Sequence, residues 1–184
     1  MTTKGLILKR TEAVFDQRGF AASGIDRLAE AAGVSTRTLY KHVGSKNALV
    51  ESVLLERQTR FFARLSGATL HELFDSLEGW VGEEGARGCF FLRAEAENGD
   101  QLPGISDAVR EYHTLLADFV AKAVRAELGA DNPELEEQIL VLFEGATSAA
   151  TYRGSAAVRA ASSAAEMLLQ TASSLQPHST INRK

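Results

Sequence analysis

Residues 25–46, IDRLAEAAGVSTRTLYKHVGSK, decide the fold of this chain. Ile25, Leu28, Ala29 and Ala32 recur at three- and four-residue spacing and make one apolar helical face. Gly33 follows, where a helix C-terminus takes a residue tolerant of left-handed dihedrals. Ser35 offers a side-chain oxygen to cap a second helix. In that helix Leu39 and Val43 lie one turn apart on a common face, and Val34 precedes the cap. Thr36, Arg37, Tyr40 and Lys41 fall on the opposite face and project together. Ser45 is placed to cap a third helix, with Lys46 directly after it. Two short helices joined by a tight turn, with a third beginning beyond them, make a helix-turn-helix.

The outward face of the second helix is short, polar and cationic, with one aromatic. Such a face fits the DNA major groove, where Arg reads guanine edges and hydroxyls reach phosphates or bases. A solvated charged face is the ordinary alternative, and two details set this one apart. Tyr40 lies outside an apolar face that is already complete. Lys46 puts a cation at the positive end of a helix dipole, which is unfavourable in the free protein. It becomes favourable when the lysine and the helix N-terminus share a phosphate.

The run from Ile7 to Leu49 resembles the DNA-binding domain of the TetR (tetracycline-repressor-type) transcriptional regulators. The resemblance is carried by Ile7, Leu8, Val14, Phe15, Gly19, Phe20, Ile25, Leu28, Ala29 and the pattern A-G-V-S-x-x-T-L-Y-x-H-V-x-x-K over 32–46. It departs from the family pattern at Arg10 and Thr11, where small residues are usual, and at Gly24, where Ser or Thr often caps; Ser23 is the substitute cap. The resemblance implies a homodimer that binds a palindromic operator in double-stranded DNA, acts as a repressor, and releases the DNA when a small-molecule effector binds. The expected base contact is Arg37, with Thr36 and Tyr40 beside it. Thr38, Lys41, His42 and Lys46 are the expected phosphate contacts, with Arg27 as a further candidate and Lys9 a weaker one.

Charge supports a division of labour. Residues 1–46 hold eight Lys/Arg against four acids, a balance of +4. The whole chain stands at −4, so residues 47–184 carry −8. A basic N-terminal part and an acidic remainder suggest a nucleic-acid-facing end joined to a part with another task. The expected domains are therefore 1–46 for DNA binding and 47–184 for effector binding and dimerisation. No apolar run approaches a membrane span, the N-terminus lacks the pattern of a signal peptide, and one cysteine forms no internal disulfide. These features point to the cytoplasm.

Helical spacing continues along the chain, and the fold class is all-α. The spacing predicts a first helix over 3–18, a fourth from Ser45 to about Leu65, and a fifth over 68–83. A sixth is expected over 89–97, ended by Asn98-Gly99, followed by a loop over 100–103 and a seventh helix over 105–128. Asp131-Asn132-Pro133 breaks the chain, and Pro133 suits the first turn of the next helix. The last two helices, 133–152 and 155–173, are rich in small residues, among them Gly145, Ser148, Ala161 and Ala164. Their faces allow close approach to a second copy in a four-helix interface, or packing within the chain. The polar stretch 176–184 is an expected tail.

Candidate walls of an effector cavity are Phe61, Phe62, Trp80, Phe91, Tyr112, His113, Leu116, Phe119 and Phe143, with Tyr112 and His113 as polar handles. Most apolar residues of this kind are core. No spacing suggests a catalytic triad, a metal site or a cofactor motif, so the chain reads as a regulator and not an enzyme. Two other readings stand beside a ligand-released repressor. One is a constitutive DNA binder without ligand. The other is a regulator that senses by thiol modification at Cys89, with Arg87 and Arg93 as the nearby cations.

Overall fold

The structure, a computed structural model, describes residues 2–67, 69–98 and 102–175. Among these the chain forms nine α-helices and no strand: α1 (Thr3–Arg18), α2 (Ile25–Ala32), α3 (Thr36–Val43), α4 (Lys46–Phe62), α5 (Leu70–Glu84), α6 (Phe90–Asn98), α7 (Pro103–Leu128), α8 (Pro133–Arg153) and α9 (Ser155–Leu175). The expected all-α fold is the observed one. The expected tail over 176–184 and positions 100 and 101 of the expected loop lie outside the described residues, and α7 begins at Pro103, inside the expected loop and two residues before the expected start.

Packing divides the chain into two compact units. One comprises Met1–Arg64 and Arg87–Leu115, the other Leu65–Ala86 and Leu116–Lys184.

In the first unit, Ile7, Phe15, Phe20, Leu28, Leu39 and Leu49 are almost fully buried and form the small core behind the helix-turn-helix. The side chains that depart from the family pattern are built into it. Thr11 is buried, with its hydroxyl returned to the carbonyls of Ile7 and Leu8 at 2.8 and 3.2 Å. Arg10 donates from Nη1 to the carbonyl of Ala32 at 3.0 Å. A cation there meets the negative end of α2, which a helix C-terminus favours. Ser23 does not cap α2. Its hydroxyl donates to the Gly19 carbonyl at 2.6 Å, and Gly24 takes the N-cap position with no side-chain bond.

Helix α4 ends at Phe62, a turn earlier than its apolar period suggests, because Ala63 already serves as the C-cap. Its buried stripe contains two polar side chains, Arg57 and Gln58. Arg57 and Arg60 both donate to Glu12 of α1 at 2.6 Å, and the Arg57 guanidinium stands 4.6 Å from the centroid of the Phe90 ring.

In the second unit, Leu73, Phe74, Trp80, Val120, Val124, Ile139, Phe143 and Val158 are buried, and Phe74 and Phe143 approach at 6.2 Å. Ala146 and Ala150 of α8, and Ala157, Ala161 and Ala165 of α9, are buried within the chain. Ala161 is therefore mostly covered within its own chain.

Candidate nucleic-acid interface

The turn between α2 and α3 is fixed by backbone chemistry. Gly33 sits in the left-handed region at φ 71°, and its N–H returns to Ala29 and Glu30. A Cβ at this position would also stand 2.9 Å from Arg10 Nη1. Glycine therefore serves both the conformation and the close approach. Val34 N–H bonds the Ala29 carbonyl at 3.0 Å, and the Ser35 hydroxyl accepts from Thr38 N–H at 3.1 Å as the N-cap of α3.

Leu39 and Val43 bury one side of α3. The other side presents Arg37 and Lys41 exposed, Thr36 half-buried, and Tyr40 at 43% exposure. A tyrosine that open on so short a helix exposes apolar ring area to water unless a partner covers it. Thr38 and His42 are half-buried. The Thr38 hydroxyl lies 2.9 Å from Ser35 Oγ, so part of its bonding capacity already serves the cap. Arg27 is exposed on α2.

Ser45 caps α4 by accepting from Ala48 N–H at 3.1 Å, and no acidic residue occupies the first turn of α3 or α4. Lys46 Nζ donates to the carbonyl of Ala21 at 3.3 Å. The lysine cation is thus tethered to the loop between α1 and α2. The ammonium keeps two further donors beside this bond.

The nine candidate effector residues are shared between the two units. Phe61, Phe62, Phe91, Tyr112 and His113 belong to the first. There the Phe91 and Tyr112 rings stack at 3.8 Å and 4°, Phe62 approaches Tyr112 at 6.0 Å, and His113 packs edge-on to Tyr112 at 5.4 Å. Trp80, Leu116, Phe119 and Phe143 belong to the second. Six of the nine are buried: Phe61, Trp80, Phe91, Tyr112, Leu116 and Phe143. Gln58 escaped the sequence reading. It is 6% exposed, donates to Glu111 Oε1 at 3.1 Å, and keeps a buried Oε1 with no hydrogen bond. Its signal was a polar residue standing in the apolar stripe of α4.

Cys89 is half-buried just before α6. The two cations near it in sequence, Arg87 and Arg93, both pair with Asp16, at 3.2 and 2.9 Å. One carboxylate thus engages both guanidiniums.

Comparison with known proteins agrees with this geometry. Residues 7–53 match the family model of bacterial regulatory proteins, tetR family. The HTH-type transcriptional regulator UidR of Escherichia coli (strain K12) is 25% identical over 128 residues, and the chain spans 67% of its own length and 65% of that relative's. The HTH-type transcriptional activator FasR of Mycolicibacterium smegmatis is 43% identical over 51 residues, covering 28% of this chain and 23% of that one. The crystal structure of a TetR-family transcriptional regulator from Streptomyces coelicolor shares the fold, with a TM-score of 0.84 over 93% of this chain and 96% of that one at 23% identity. Residues 7–53 thus match the tetR family of bacterial regulatory proteins, and the helical fold around them is that of the Streptomyces coelicolor structure.

Proposed function

We propose that the protein is a homodimeric transcriptional regulator of the cytoplasm. It binds a palindromic operator in double-stranded DNA through residues 1–46 and leaves it when a small-molecule effector binds residues 47–184, so that it acts as a repressor. The observation that carries this reading is the exposed face of α3, where Arg37, Tyr40 and Lys41 stand clear of a core already closed by Leu39 and Val43. Arg37 is the base reader. Thr36 and Tyr40 flank it, and Lys41, His42, Thr38, Lys46 and Arg27 hold the phosphate backbone. UidR and FasR, named as a regulator and an activator, support a role in transcription and not in catalysis.

Release follows from the placement of α4. That helix begins at Lys46 and ends at Phe62, which lies against Tyr112. A ligand wedged beside Phe62, Phe91 and Tyr112 tilts α4. The recognition helices of a dimer enter successive major grooves about 34–36 Å apart, so a tilt changes their separation without touching the reading residues. The ligand acts only through its different affinities for the two arrangements. The Gln58 Oε1 acceptor suits a mostly apolar or aromatic ligand that carries a hydrogen-bond donor.

Selection from random duplexes with the purified dimer tests the reading, followed by affinity measurements on the selected site with and without a ligand library. A two-fold symmetric site whose affinity falls with a bound ligand is expected. Binding to no duplex above the non-specific level ends the proposal. Operator binding that no ligand alters would leave a constitutive binder.

A further inference from the structure

Glu97 stands near the end of α6, well outside the helix-turn-helix in sequence, yet it holds the loop that opens it. Its Oε2 accepts the backbone N–H of Phe20 at 2.6 Å and of Ala21 at 2.8 Å. Both amides follow Gly19, the C-cap of α1, whose φ is 84°. A Cβ at Gly19 would lie 2.8 Å from Glu97 Oε1, so a bare backbone is what lets the carboxylate in. Two further contacts hold α6 in place. Arg93 bonds the Asp16 carbonyl and carboxylate at 3.1 and 2.9 Å, and Phe90 meets Phe20 edge-on at 4.8 Å.

Ala21 has a second partner, because its carbonyl takes the Lys46 ammonium at 3.3 Å. Glu97 on its N–H and Lys46 on its C=O make one relay from α6 to the start of α4. A lysine on a free stem loses rotamer freedom when it takes a phosphate, whereas one already tethered loses less. The tether works only if Ala21 is itself fixed, and the carboxylate of Glu97 fixes it.

We propose that Glu97 is a positioning residue for DNA binding: it sets the Ala21 carbonyl that aims Lys46 at an operator phosphate. This rests on the DNA-binding reading above. It also gives α6, which carries Phe91 of the proposed effector site, its own hold on the DNA-binding residues.

The test is a double-mutant cycle on operator affinity with Glu97→Ala and Lys46→Ala. Removing a bystander carboxylate from a DNA-binding protein strengthens binding, because a repulsive charge is lost. The relay requires the opposite sign: Glu97→Ala weakens operator binding roughly three- to tenfold. In the Lys46→Ala background the same change costs less than about twofold, since there is no ammonium left to aim. Glu97→Gln keeps an acceptor and falls between wild type and Glu97→Ala. Tighter or unchanged binding in Glu97→Ala overturns the proposal. So does an equal loss in both backgrounds, which is the mark of general loosening. Amide hydrogen exchange reads the clamp without DNA. Slow exchange at Phe20 and Ala21, made fast in Glu97→Ala, supports it, and fast exchange in the wild type overturns it. If the wild-type protein binds no duplex, the DNA-binding reading has failed and the positioning role falls with it, whatever the exchange data show.

Discussion

Glu12 of α1 and Arg57 of α4 form a buried ion pair at 2.6 Å, with the two residues 5% and 8% exposed. Arg60 joins them at 2.6 Å from both carboxylate oxygens. One carboxylate therefore serves two guanidiniums, and it ties the first helix of the DNA-binding part to the helix that follows it. Breaking a buried pair by removing one partner is costly, because the remaining charge loses its counter-ion in a poorly solvated place. Glu12→Ala is expected to lower the unfolding free energy by about 3–5 kcal/mol. Glu12→Gln retains an acceptor and loses less. Urea unfolding followed by circular dichroism measures both, and a Glu12→Ala variant as stable as wild type would show that the pair does not hold α1 on α4.

That pair also shows where the sequence stops being informative. Helix ends were readable because their chemistry is local. Ser35 and Ser45 cap as expected, Gly33 turns as expected, and Asn132-Pro133 opens α8 with the Asn132 side chain accepting from Leu135 N–H. Thr69 caps α5 by accepting from Glu72 N–H, while the Glu72 carboxylate turns to Ser66 and Gly67. Glu12 with Arg57, Glu97 with Phe20 and Arg93 with Asp16 are 45 and 77 positions apart. No helical period encodes such a partnership. The exposed face of α3 was legible because polar side chains on a short helix with a complete apolar face stand out. An effector site is not legible in this way, since a phenylalanine that lines a cavity and one that fills a core obey the same period.

Base and phosphate contacts have separable signatures on the α3 face. Arg37→Ala is expected to cost roughly 1–3 kcal/mol on the best operator and to relax preference at one base pair per half-site. Lys41→Ala weakens all sequences about equally and lowers the slope of affinity against salt. Selection from random duplexes, repeated with each variant, reads both effects. Identical shifts in sequence preference would refute the assignment of Arg37 to bases and Lys41 to phosphates.

Acid should loosen the entry to α5. Glu72 accepts from the Ser66 hydroxyl at 2.7 Å, from Ser66 N–H at 2.6 Å and from Gly67 N–H at 2.7 Å. The Ser66 bonds, hydroxyl first and then amide, with the Gly67 amide after them, hold its carboxyl below the ordinary value of 4.5. A carboxyl depressed in the folded state stabilises the fold above its unfolded pKa, and that contribution is lost as pH falls through the folded value. Glu72→Gln removes the titration. The wild type should therefore exceed the variant in stability at pH 6 and converge on it as the pH drops below about 4. Denaturation midpoints across that range are the measurement, and parallel curves would rule the linkage out.

The last expectation concerns self-association, and the α8 and α9 faces make it specific. On α8, Val141, Gly145, Ser148 and Tyr152 stand at i, i+4, i+7 and i+11, all exposed. On α9, Ala156, Ala160, Ser163 and Met167 repeat the same spacing, again exposed. Val141, Tyr152 and Met167 are 61%, 78% and 66% open to solvent, so the chain leaves large apolar side chains uncovered at the ends of two small-residue stripes. A groove of about 370 Å³ runs between them past Gly145, Ala149 and Ala160. A two-fold interface on this face would bring the same stripes of two copies together, with small residues letting the helix axes approach while Tyr152 and Met167 bury area at the rim. Ala160→Glu puts a charge on the stripe and is expected to yield a monomer by sedimentation with its helical signal kept. Ala161→Glu, one residue on, changes a groove-lining position that is only 8% exposed. It should lower the melting temperature before it changes the assembly state, because an unpaired buried carboxylate opposes folding itself. If Ala160→Glu stays dimeric, the two copies meet through another surface. If both variants behave alike, the division between an inner and an outer face of α9 is wrong.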